Sequence, residues 1–175
     1  MVRLETDLYG QIALLVFPLL MAFAASSDLL TMRISNKLIL VTVAGFFILA
    51  LVSHMPFEQL ALHIACAVIV LVVAFGLFSM GWIGGGDAKL AAATALWLGF
   101  AVTLNYVLIA AVLGGALTFA LLSLRRFELP PQLMNVTWID RLHNKKTGVP
   151  YGIALAAAGI LVYSDTALFQ QLVGT

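Results

Sequence analysis

The chain has 175 residues, 63% of them hydrophobic, with a mean hydropathy of +1.09 and only 10% charged, whereas water-soluble domains run near half apolar and about a quarter charged. Nine Lys and Arg against eight Asp and Glu leave a net charge of +1, which excludes a disordered chain, a coiled coil and a nucleic-acid binder, all of which need dense charge. A single cysteine, Cys66, excludes a disulfide framework and a cysteine zinc site, and what remains is a chain embedded in a bilayer, with room for six or seven spans of about 20 residues.

Long apolar runs predict six helices, near 9–27, 38–53, 60–80, 88–100, 104–124 and 149–164. Leu38 to Val52 and Ala61 to Phe78 are continuously apolar over helical lengths, unlike the alternating segments of an outer-membrane barrel. The expected fold is therefore an all-α polytopic membrane bundle, a single domain over 1–175. Ala22-Phe23-Ala24 resembles a signal cleavage site, but the segment before it carries Arg3, Glu5 and Asp7, net −1 where a signal peptide needs positive charge. The first segment is read as a span. In the third, Cys66 reads as a small core residue, and His54, His63 and His143 are too scattered to form a metal site.

The run from Ala88 to Leu124 is the hardest to divide. As one helix its 37 residues would be ~55 Å long, well beyond a hydrocarbon core of ~30 Å. A break is expected near Gly99 to Asn105, where Gly99, Thr103 and Asn105 interrupt the apolar pattern, leaving a short fourth helix that crosses only partly or thins the membrane. Ala88, Ala91, Ala92 and Ala95 form a small-residue stripe for close packing. Pro130-Pro131 stops the chain after helix five, and Arg125 to Gly148 is the one extended loop.

Cations favour the cytoplasmic side of short loops. With six spans and the N-terminus outside, Arg33, Lys37, Lys89, Arg125, Arg126, Arg141, Lys145 and Lys146 are cytoplasmic and only Arg3 is not. The expected topology is N-out, C-out, with cytoplasmic loops at about 28–37, 81–88 and 125–148.

An acid at the edge of an apolar span is a functional candidate. Glu5, Asp7, Glu58 and Asp165 fall in outer segments, and Glu128 and Asp140 lie among Arg and Lys in the long loop, where solvated pairing accounts for them. Asp28 and Asp87 remain. Asp28 closes helix one and Asp87 follows helix three, so parity brings both to one boundary. Two carboxylates sharing a proton supply an acid and a base, which can activate a water and protonate a leaving nitrogen. The plainer alternatives are a helix terminus at Asp28 and an N-cap at Asp87. Gly84-Gly85-Gly86 before Asp87 would allow positive φ and the close approach of a substrate chain. Lys89, two residues on, does not face Asp87 on a helix and is expected to snorkel to lipid phosphate.

Gly84-Gly85-Gly86-Asp87-Ala88-Lys89 resembles the GxGD-x-K signature of the type IV prepilin peptidases, membrane aspartyl proteases. Asp28 followed by Ile34-Ser35-Asn36 is similar to that family's D-x5-I-P-N pattern, with Ser35 in place of the proline. Gly148-Val149-Pro150-Tyr151-Gly152-Ile153-Ala154 looks like the start of its last helix.

The resemblance implies that Asp28 and Asp87 are the catalytic pair, with Gly84, Gly85, Gly86, Lys89 and Asn36 as supporting motif residues and no cofactor or metal. It implies cleavage of the short basic leader of prepilins or pseudopilins at the cytoplasmic face of a bacterial inner membrane. The form implied is the short one of Flp/Tad (tight adherence) pili or a type II secretion-like system, without the methyltransferase domain of longer members. Archaeal preflagellin peptidases are similar in size and motif. Two other classes use the same aspartates differently. An ion-coupled transporter would hold them near the bilayer midplane, and a non-catalytic assembly subunit would hold them too far apart to share a proton.

Overall fold

The protein, as a computed structural model, is described over residues 2–128, 130 and 135–173, with 2–13 and 172–173 described for their backbone alone. The side chains of Arg3, Glu5 and Asp7, and Pro131, lie outside the described residues. The described chain is a helical membrane bundle: α1 (Val2–Thr31), α2 (Asn36–Val52), α3 (Phe57–Ser79), α4 (Gly85–Leu124), α5 (Thr137–His143), α6 (Tyr151–Tyr163) and α7 (Ala167–Val173). Within α1 the stretch Leu14–Thr31, together with α3 and α4, is long and apolar enough to cross a membrane, and α2 and α6 are shorter apolar helices.

α4 is not one rod. Gly99 adopts φ 68, ψ 178, and Asp87 and Ala91 line the same cavity as Ala110 and Gly114. A straight helix would separate residues 87 and 114 by ~40 Å. The chain therefore folds back at Gly99 into two antiparallel arms, 85–98 and 100–124, and the bundle has six apolar helical segments. The break is narrower than expected. Thr103 and Asn105 are helical, and Thr103 bonds back through its hydroxyl to the Gly99 carbonyl at 2.6 Å. The first arm, at ~21 Å, is shorter than the hydrocarbon core, so its turn lies at a depth where backbone groups need protein partners. His63 of α3 supplies one, donating from Nδ1 to the Leu96 carbonyl at 2.7 Å.

The first arm is the axis of the bundle. From Ala88 to Gly99 every residue but Lys89 and Ala91 is buried. Lipid is as apolar as a leucine core, so close packing of small residues holds such helices together. The alanine stripe fits that need, and a Cβ on Gly159 of α6 would meet Thr94 at 3.1 Å. Trp97 fills the centre, its ring centroid 5.1 Å from Phe17 and 5.9 Å from Phe46, with Nε1 donating to the Thr42 carbonyl at 3.0 Å. Cys66 is a buried core residue, its sulfur 3.3 Å from the Thr103 hydroxyl.

Several boundaries differ from expectation. α1 runs on to Thr31, so Asp28 lies inside its final turns and does not close it, and α4 begins at Gly85. The short helices α5 and α7 carry no long apolar run and were not foreseen. The connections 32–35, 80–84 and 144–150 meet at one end of the bundle, around a single cleft. At the other end α7 packs on α1, and Gln171 donates to the Ser53 carbonyl at 3.2 Å.

Candidate active site

The cleft has a volume of about 1040 Å³ and is walled by the end of α1, the α1–α2 connection, the glycine-rich entry to α4 and the start of α6. Asp28 and Asp87, 59 residues apart in sequence, both line it. Asp28 is 5% exposed, and its Oδ2 accepts the Gly152 amide at 2.7 Å. Asp87 is the third residue of α4, and its Oδ2 accepts the Gly84 amide at 3.3 Å. It thus reaches back from the first turn to satisfy an orphan donor, where an N-cap had been the alternative; Gly84 is the N-cap.

The glycines act through their missing side chains more than through unusual backbone. Gly84 is extended (φ −74, ψ 147) and Gly85 and Gly86 are helical, so the positive φ expected in this run falls on Gly81 (φ 75). A Cβ on Gly84 would lie 2.8 Å from the Asp87 carboxylate, one on Gly85 3.3 Å from Phe78, and one on Gly86 3.3 Å from Cβ of Ile34. Gly152 is tighter still, with Asp28 Oδ2 at 2.7 Å and Ile34 Cδ1 at 2.8 Å from a Cβ there. Ile34 therefore packs between Gly86 and Gly152, spanning the entries to α4 and α6 that carry Asp87 and the amide bound by Asp28.

Ser35 stands where the resemblance expects proline. It is the N-cap of α2, with φ −72, within the range a proline ring enforces, and its hydroxyl accepts the Leu38 amide at 3.2 Å. Lys89 lies on another face of α4 from the cleft. It lines a separate cavity with Val43 and Ala92, and its ammonium donates to Asn36 Oδ1 at 2.9 Å. The snorkelling expected of Lys89 thus ends on a protein partner, tying the entry of α4 to that of α2.

Arg125 does more than mark the topology. Its guanidinium, 6% exposed, donates to the carbonyls of Leu142 at 2.7 Å, Thr147 at 3.2 Å and Gly148 at 2.9 Å. It thereby pins the long loop just before the segment that delivers the Gly152 amide. Arg141 donates to the Leu30 carbonyl at 2.9 Å, tying α5 to the end of α1. Both arginines are engaged by backbone carbonyls. An arginine at the end of an apolar run gives no sequence signal for this role.

A family model described as the type IV leader peptidase family matches residues 15–119, which include Asp28 and Asp87 but not the 148–154 stretch. No curated protein and no solved structure matches the chain.

Proposed function

The chain belongs to the type IV leader peptidase family, and on that premise we propose that it is an aspartic endopeptidase with Asp28 and Asp87 as its catalytic pair. Its substrates are prepilins or pseudopilins of a Flp/Tad-type pilus or type II secretion-like system. It cuts their short basic leader at the cytoplasmic face of the bacterial inner membrane. The observation that carries this reading is one cleft receiving both carboxylates from separate helices, each oriented by a backbone amide. A cleft of that size has room for an extended peptide segment beyond the pair.

The chemistry needs a water held between the carboxylates. One removes its proton as the oxygen attacks the scissile carbonyl. The other protonates the carbonyl oxygen, and the tetrahedral adduct collapses with the C–N bond broken and the amine protonated, leaving a leader carboxylate and a new N-terminus. Nothing in this route requires a cofactor. Co-expression with a prepilin bearing a basic leader tests it directly. Asp28→Asn and Asp87→Asn should each abolish leader removal while the protein still accumulates in the membrane, and full processing by either variant sinks the assignment.

A further inference from the structure

The two halves of the candidate site come from different helices, and one side chain lies between them. Ile34, in the connection from α1 to α2, is partly buried and packs against the core. Its Cβ is 3.3 Å from where a Cβ on Gly86 would stand, and its Cδ1 is 2.8 Å from where one on Gly152 would stand. Glycine at both positions lets the side chain rest directly on backbone at each end. Gly86 precedes Asp87, and the Gly152 amide is 2.7 Å from Asp28 Oδ2. The gap between the backbone that carries one carboxylate and the backbone that aims the other is therefore one isoleucine long.

This side chain is itself held still. Before it, the Arg33 carbonyl accepts the Ser27 hydroxyl at 3.0 Å and the Thr31 hydroxyl at 3.1 Å, and the Arg33 amide donates to Thr31 Oγ1 at 3.2 Å. After it, Ser35 is fixed as the N-cap of α2. Isoleucine is also stiff about χ1, because two heavy atoms branch from its Cβ. Between helices in a membrane, close contact and not hydrophobic force sets the spacing.

We propose that Ile34 is a positioning residue, a spacer whose length sets the separation of Asp28 and Asp87. The proposal rests on the peptidase reading above and adds to it how the two carboxylates are kept at a working distance. A shorter side chain lets the entries to α4 and α6 settle toward each other, since a packed structure relaxes partly into a lost volume. A Cβ on Gly86, tighter on Ile34 than ordinary contact, wedges them apart. Carboxylates that share a proton give a bell-shaped pH–rate profile, whose two limbs part as the groups approach and close up as they separate. Among the described residues lining the cleft, Arg33 is the other charged side chain and Tyr151 the other titratable one.

The test is leader cleavage by the purified full chain in detergent, measured across pH with a prepilin bearing a basic leader. Ile34→Ala should lose about tenfold or more, a displacement of about 1 Å at a reacting group costing up to about 10²-fold, and its limbs should lie farther apart than in wild type. Gly86→Ala should bring the limbs together. Limbs that stay at the wild-type pH in both variants, or that move the same way in both, overturn the proposal whatever the rates, because a merely structural defect scales activity without moving them.

A second measurement needs only variants that keep a branched side chain at residue 34. Ile34→Val removes Cδ1, the atom of Ile34 that a Cβ on residue 152 would strike. Gly152→Ala should therefore cost at least about threefold less in the Ile34→Val background than in wild type, residues in contact being coupled. Ile39→Val, the same deletion in α2 outside the cleft, should leave the cost of Gly152→Ala unchanged. Equal costs in all three backgrounds overturn the spacer while leaving the peptidase reading intact. No cleavage by the wild-type chain overturns both.

Discussion

Asp28 is useful only as far as its carboxylate is aimed, and the aim depends on an atom that residue 152 lacks. A Cβ there would stand 2.7 Å from Oδ2 and 2.8 Å from Ile34 Cδ1, closer than real contacts allow. Asp28 or Ile34 must then move, and a displacement of about 1 Å at a reacting group costs up to about 10²-fold in rate. Gly152→Ala is therefore expected to lower leader cleavage by about ten- to a hundredfold. Gly148→Ala, four residues earlier where nothing lies within 4 Å, should cleave at the wild-type rate; equal rates for the two variants would show that the clearance is irrelevant. That the two aspartates share one end of the bundle was legible in the sequence, because parity of spans brings the ends of helices one and three to the same boundary. The reason for Gly152 was not, since its partner is 124 residues away and only the tertiary approach of α6 to α1 creates the conflict.

Among the elements, α4 shows where sequence patterning loses resolution. Length against bilayer thickness demanded a break, and the glycine at 99 marked it, but Thr103 and Asn105 looked like interruptions because polarity alone cannot separate a loop from a helix that bonds its own backbone. The conformation of Gly99 belongs to a region open essentially to glycine alone and costs other residues about 1–3 kcal/mol. A Cβ would also meet the His63 ring at 3.0 Å. Gly99→Ala should thus lower the thermal midpoint of the detergent-solubilised protein by several degrees. Gly115→Ala, in the second arm with nothing within 4 Å, should hold or raise it, alanine being favoured over glycine in a helix by about 1 kcal/mol. A Gly99→Ala protein as stable as wild type would mean that the arms do not turn there.

At the scale of the whole molecule, the sequence revealed more than at any other. Parity of spans and the side chosen by eight of nine cations place the same loops together that the structure gathers around the cleft. Composition pointed to a bilayer, and continuous apolar runs of helical length foretold a helical bundle. The stitching of that end was not legible, because Arg125, Arg141 and Lys89 use their donors on carbonyls and an amide oxygen, which leave no pattern in a sequence. Which end faces the cytoplasm can be read with single cysteines, since Cys66 is buried. Lys145→Cys should resist a membrane-impermeant maleimide in intact cells and react after lysis, whereas Glu58→Cys should react in both. The reverse pattern would put the cleft outside.

The single-residue turn at Gly99 also bears on how the chain is made. A first arm of ~21 Å is too short to be handed to lipid alone. The carbonyl of Leu96 beside the turn finds its donor in His63, a residue that leaves the ribosome well before it. α3 must accordingly wait at the insertion machinery until both arms have emerged, and the three segments are released into the bilayer as one unit. Biogenesis of this protein is therefore expected to proceed by a three-helix step, and not one span at a time.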